Sequence, residues 1–193
     1  MAATPTHQIP LGFRAPDFEL PDTIGSLAWS PEDLVGPKGL LVVFICNLCP
    51  YVIHILPKLV DLCTEWQDLG LGIVFISSND VEKYPQDSPN KMKDLASEYG
   101  FDWPYLFDAS QETAKAYFAA CTPDFMLFDD ALACVYRGQF DDARPKNEAA
   151  VTGADLAQAV EHLLEESEIP SEQKPSIGCN IKWKPGNAPE YFG

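Results

Sequence analysis

The feature that most constrains this chain is the run Leu40-Leu41-Val42-Val43-Phe44-Ile45, followed at once by Cys46-Asn47-Leu48-Cys49-Pro50-Tyr51-Val52. Six consecutive apolar residues, all β-branched or large, suit a strand buried on both faces and predict a sheet covered on both sides. The run breaks at Asn47, and Pro50 is suited to the first position of a helix. Cys46 and Cys49 therefore stand at a strand-to-helix junction. Unsatisfied N–H groups and the positive end of the helix dipole favour a thiolate there. Two cysteines that only filled a core would be expected within one element, on its buried face.

The rest of the chain arranges itself around this junction. Residues 1–15 read as an irregular arm. Residues 17–20 and 26–29 are strand candidates about the turn Pro21-Asp22-Thr23-Ile24-Gly25, forming an N-terminal β-hairpin. Ser30 is placed to cap a short helix opened by Pro31, and Gly36-Pro37-Lys38-Gly39 turns into a central strand over 40–45. From residue 50 to about 69, Val52, Ile55, Leu56, Leu59, Cys63 and Trp66 recur at spacings of three and four. That period predicts an amphipathic helix, kinked at Pro57 and stopped at Gly70.

Residues 71–77 read as a second buried strand, 80–90 as a loop, 91–99 as a helix, 105–107 as a short segment and 111–119 as another helix. Strands over 125–128 and 133–137 follow Cys121-Thr122-Pro123, with Asp129-Asp130 at their turn. Thr152 and Asp155 suggest a capping box for a last helix carrying Leu156, Ala159, Val160, Leu163 and Leu164 on one face. From Pro170 the chain reads as an extended tail. Its Cys179, Trp183, Tyr191 and Phe192 are too apolar for a solvated linker, so it is expected to lie across the domain surface. The organisation is thus an arm over 1–15, an α/β domain with a mixed central sheet flanked by helices over 16–168, and a tail over 169–193.

Thirteen basic against twenty-nine acidic residues give a net charge of −16, which argues against nucleic acid and anionic membrane surfaces as partners. Glu161, Glu165, Glu166 and Glu168 fall in a stretch without Lys or Arg and read as a solvated helix face. The N-terminus has neither a basic nor an apolar leader region, and no apolar run approaches the ~18 residues of a membrane span. The chain is read as soluble and cytoplasmic. Six cysteines are too sparse for a disulfide-stapled scaffold; in a reducing compartment they serve catalysis, bind metal or lie buried and inert.

Three features together carry a resemblance: Ala15-Pro16-Asp17-Phe18 followed by Leu20, the Cys46-Asn47-Leu48-Cys49-Pro50 junction, and Thr122-Pro123 immediately before a strand. Over about residues 10–168 the chain resembles the thioredoxin-fold redoxins that include the alkyl hydroperoxide reductase/thiol-specific antioxidant proteins. The tail segment Ser176-Ile177-Gly178-Cys179-Asn180-Ile181-Lys182-Trp183 is similar to that of uncharacterised redoxins carrying Cys-Asn-x-Cys-Pro. The resemblance implies a thioredoxin-like fold and redox-active Cys46 and Cys49. It also implies a cis peptide at Thr122-Pro123 that offers its backbone to an extended substrate. Thioredoxins carry a kinking proline eight residues after the nucleophilic cysteine. Counting back from Pro57 lands on Cys49, with Val52 where the second cysteine is expected. Cys49 is therefore favoured as the nucleophile and Cys46 as its resolving partner.

Cys121 falls close to this pair by the same resemblance, as a buried thiol or a further redox sulfur, and Cys179 reaches it if the tail folds back. Cys63 and Cys134 read as core. His54 reads as a helix-surface or packing residue, and Arg137 as a surface ion-pair residue. Three functions stay open. The first is thiol–disulfide exchange on a protein or small-molecule disulfide, without cofactor. The second is peroxide reduction, with Cys49 oxidised to a sulfenic acid that condenses with Cys46 or Cys121. Against it, peroxiredoxins carry Thr or Ser three residues before their cysteine, whereas here Val43 precedes Cys46 and Cys46 precedes Cys49. The third is a metal or iron–sulfur module built from Cys46, Cys49, Cys121 and Cys179. The reductant and the oligomeric state are left open.

Overall fold

The computed structural model describes residues 3–25 and 27–192. Met1, Ala2 and Gly193, at the outer ends of the expected arm and tail, and Ser26 of the expected hairpin lie outside the described residues. The elements in order are β1 (Ala3–Pro5), β2 (Leu20–Pro21), β3 (Ala28–Trp29), α1 (Pro31–Leu34), β4 (Leu40–Phe44), α2 (Pro50–Asp68) and β5 (Gly72–Ser77). There follow α3 (Pro89–Tyr99), β6 (Tyr105–Phe107), α4 (Glu112–Ala116), β7 (Cys121–Thr122), β8 (Asp124–Phe128), β9 (Cys134–Tyr136), α5 (Ala154–Leu164) and β10 (Ile177–Asn180).

The central sheet runs β6-β5-β4-β8-β9, with β6, β5 and β4 parallel and β8 and β9 antiparallel. Its middle strand is the apolar run of the sequence, and no residue from Leu40 to Ile45 exceeds 1% exposure. Alternation across the pleat divides that run between two cores. Leu41, Val43 and Ile45 meet α2, α3 and α5; Leu40, Val42 and Phe44 meet Leu34 of α1, Ala114 of α4, and Ala15 and Phe18 of the N-terminal segment. Each large side chain so buried contributes about 1.5–3 kcal/mol, which fixes the strand and hence the position of Cys46 just beyond its end. Thioredoxin-like architecture, with a mixed central sheet and helices on both faces, is what the sequence predicted.

Local signals read well. Ser30 and Asp33 form a reciprocal capping box at α1, β2 pairs with β3 as the hairpin, and Gly70 (φ +94°) follows α2 in the left-handed region. Four readings are corrected. The arm is not irregular: β1 pairs antiparallel with β10, Ala3 opposite Cys179. The helix expected over 111–119 is shorter: Phe118 turns into the left-handed region (φ +53°) and the Ala119 N–H closes onto Ala114 O, which ends α4. The carbonyls of Tyr117 and Phe118 are left to accept from the Arg137 guanidinium at 2.9 and 2.8 Å. The capping box at Thr152 is absent. Asp141 accepts from the N–H groups of Thr152 and Gly153, and Gly153 (φ +70°) caps α5.

Arg137, expected on the surface, is fully buried beside Asp124, Nη2 to Oδ2 3.6 Å. Thr6 bridges the two, donating to Asp124 and accepting from Arg137, and His7 O accepts from Nε. A buried cation held by three carbonyls from two segments, the arm and the stretch after α4, locks the arm to the sheet. The tail is likewise more than a surface strap. Ser176, Cys179 and Ile181 are buried, and the buried Gln111 accepts from Lys184 N while donating to Lys182 O. No helix among the described residues is long and apolar enough to cross a membrane.

Candidate active site

Cys46 follows β4, and Cys49 is the residue before the first turn of α2, with Pro50 at the first helical position. The two-residue loop between them is clamped at Asn47. Its N–H donates to Asp87 (2.8 Å), its amide donates to Gln86 O (2.8 Å), and its Oδ1 accepts from the Tyr105 hydroxyl (3.0 Å). Burial holds the Tyr105 phenol well above its ordinary pKa, so it stays a donor. Asp87 also accepts from Asn79, whose Oδ1 accepts from Lys182 N in the tail. Nothing in the local pattern of residues 80–90 marked Asp87, because both its partners are supplied by other segments.

The two sulfurs face Thr122. Cys46 Sγ lies 3.3 Å from Thr122 Oγ1, and Cys49 Sγ lies 3.1 Å from Thr122 O, to which it donates in its thiol form. The Thr122-Pro123 peptide is cis. The backbone that the resemblance assigns to an extended substrate is paired within the chain, Thr122 opposite Cys179 of β10. Cys46, Cys49 and Cys179 line one cavity of about 280 Å³ with Leu48, Asn79, Tyr84, Gln86, Asp87 and Lys182. Leu48 stands 58% exposed at its edge, an apolar surface beside the thiols.

The electrostatics separate the pair. A hydrogen bond from Cys46 lowers the Cys49 thiol most; burial opposes it, and Cys179, Thr122 and the Val52 N–H add smaller downward pulls. The result holds Cys49 down to about 5. Cys46 is pushed well above the ordinary thiol value, first by the hydrogen bond it gives to Cys49, then by burial and the Asp87 charge. The direction of both shifts favours negative charge on Cys49, at the helix N-terminus, over Cys46. Cys179 is pushed up to about 12, by burial first and then by the hydrogen bond it donates to Cys49.

Cys121 is fully buried; its thiol points at Pro123 O (3.6 Å), and burial and the Asp124 charge push it up. Among the described residues it does not line the thiol cavity. Burial likewise raises Cys63 and Cys134. His54, half-buried on α2, has no partner for Nε2 among the described residues. No group of three or more His, Cys, Asp or Glu among the described residues is arranged to hold a metal ion.

Comparison with known proteins adds the following. The AhpC/TSA family model matches residues 11–137. An uncharacterized conserved protein from Geobacillus kaustophilus is similar at 49% identity over 96% of this chain and 98% of its own, with a TM-score of 0.94. A hypothetical protein from Sinorhizobium meliloti 1021 is similar at 46% identity over 95% of this chain and 100% of its own, TM-score 0.92. The thioredoxin domain of a thiol-disulfide oxidoreductase from Bacteroides vulgatus, 17% identical over 79% of this chain and 99% of its own, shares the fold at a TM-score of 0.60. No curated protein matches the chain.

Proposed function

The chain belongs to the AhpC/TSA family, and from that premise we propose that it is a thiol–disulfide oxidoreductase with Cys49 as nucleophile and Cys46 as resolving thiol. The observation that carries this reading is the placement of two adjacent thiols at the strand-to-helix junction, Cys49 at the start of α2 and Cys46 beside it, lining one cavity and facing Thr122 of the cis Thr122-Pro123 peptide. The Cys49 thiolate attacks a disulfide R–S–S–R′, forming Cys49–S–S–R while R′S⁻ leaves and takes a proton. Cys46 then gives up its proton and attacks Cys49 Sγ. The Cys46–Cys49 disulfide forms, and RS⁻ departs as the thiol. Two electrons pass to the substrate with two protons, one from solvent to R′S⁻ and one from Cys46 to RS⁻, and an external dithiol resets the pair.

Attack requires access, and both sulfurs are under 10% exposed. The cavity beside exposed Leu48 is the approach, suited to a small disulfide or one segment of a protein. Thr122 orients both sulfurs from the strand opposite, through its hydroxyl and its carbonyl. A cytoplasmic setting, where a reductant keeps the pair in the thiol form, fits this direction of transfer.

One observation favours peroxide reduction as a second reading: the Thr122 hydroxyl beside Cys46 supplies the polar hydrogen missing at Val43. Turnover of insulin disulfides with dithiothreitol, and of hydrogen peroxide in a parallel arm, decides between them. Wild-type protein is expected to accelerate insulin reduction, and Cys49→Ser to lose it. Insulin turnover persisting in Cys49→Ser overturns the proposal; fast peroxide consumption without insulin turnover replaces it with the second reading.

A further inference from the structure

The tail strand sits where a bound peptide would. β10 pairs antiparallel with β7, Cys179 opposite Thr122 and Asn180 opposite Cys121. Strand addition at an open sheet edge is a general way of binding an extended chain, and here the chain's own tail takes that edge. The fit depends on Gly178. A Cβ there would stand 1.9 Å from Thr122 O and 3.1 Å from Pro123 N, so no other residue lets the tail backbone approach so closely. The same Thr122 carbonyl lies 3.1 Å from Cys49 Sγ. Cys179 is therefore delivered to the mouth of the thiol pair, in the cavity that Cys46 and Cys49 line. β1 covers the outer edge of β10, with Ala3 opposite Cys179, and Lys182 N on Asn79 ties the tail to the loop carrying Asp87.

We propose that Cys179 is a third redox thiol that exchanges with the Cys46–Cys49 disulfide, so that the tail strand acts as a tethered substrate. This rests on the reading of Cys49 as nucleophile and goes beyond it. In the step, Cys179 Sγ gives up its proton and attacks Cys49 Sγ. The Cys49–Cys179 bond forms as the Cys46–Cys49 bond breaks, and the Cys46 thiolate leaves and takes the proton. No electrons are gained or lost; the disulfide moves from the helix start to the tail. The pairing of Cys179 opposite Thr122, against which both helix-start sulfurs rest, already brings the three sulfurs to one cavity in the reduced protein.

The test uses the full chain with Cys46→Ser, reduced and then exposed to limiting oxidised glutathione, with cysteine connectivity read by mass spectrometry of non-reduced peptides. The expected product is a Cys49–Cys179 disulfide. The glutathione adduct on Cys49 is expected to live roughly tenfold longer in Cys46→Ser/Cys179→Ser. Gly178→Val in the Cys46→Ser background leaves Cys179 present but displaces the strand, and should prolong the adduct similarly. A persistent adduct on Cys49 with Cys179 recovered as free thiol overturns the proposal and leaves the nucleophile standing. The absence, at every time, of both a glutathione adduct on Cys49 and a Cys49–Cys179 disulfide overturns both. Should Cys46→Ser fail to fold, wild-type protein acid-quenched at successive times is read instead. A Cys49–Cys179 peptide following the Cys46–Cys49 peptide supports the exchange, and its absence at every time overturns it.

Discussion

Cys49 precedes the first turn of α2, and Cys63 lies on the buried stripe of the same helix. Their exposures hardly differ, 3% and 0%. Yet the Cys49 thiol is held down to about 5 while burial alone pushes Cys63 well above the ordinary value. Burial opposes ionisation in both. What separates them is the supply of donors: Cys46, Cys179, Thr122 and the Val52 N–H act on Cys49, whereas no other group moves Cys63. Within the interior of a helix, N–H groups are already committed to the preceding turn; at its start they are free.

The sharpest way to break this contrast is to delete each sulfur in turn. Cys49→Ser is expected to lower disulfide reductase turnover at least about a thousandfold, measured by insulin reduction. Next in size, Cys46→Ala removes the strongest donor to Cys49 and should raise its pKa, slowing alkylation by iodoacetamide at pH 7 by roughly tenfold. If the alkylation rate does not change, Cys46 is not what holds the charge at Cys49.

The contrast also predicts opposite pH dependences of stability. The folded Cys49 has a depressed pKa, so its contribution is fully present above the unfolded thiol value near 9 and is lost as pH falls toward about 5. The folded Cys63 has a raised pKa, so its contribution is present below that unfolded value and is lost as pH rises beyond it. Denaturant unfolding of the reduced protein should therefore show stability rising from pH 5 to 9, with Cys49→Ala flattening that rise and Cys63→Ala leaving it. The smallest effect on activity is that of Cys63→Ala: turnover within about twofold of wild type, with about 1–2 kcal/mol lost in unfolding free energy. A large loss of turnover there would show that the buried stripe is coupled to the site.

How far the sequence could be read follows the range of the interactions involved. α2 and β4 were legible because their patterns repeat within a few residues, and the position of Cys49 just before α2 followed from Pro50. Arg137 misled because a cation is expected in water. Its burial is offset by carbonyls of His7, Tyr117 and Phe118, which come from distant segments. Asp87 was invisible for the same reason, its partners being Asn47 and Asn79.

The sequence by itself determined a double-faced strand running into a helix start with two cysteines, because apolar run length, helical period and proline placement act over a few neighbouring residues. Only the tertiary structure decided what surrounds each of them and that a third sulfur lines their cavity. Thr122, Asp87 and Cys179 reach Cys46 and Cys49 from separate strands and loops, and the field at a sulfur depends on what folding brings to it rather than on what precedes it in the chain.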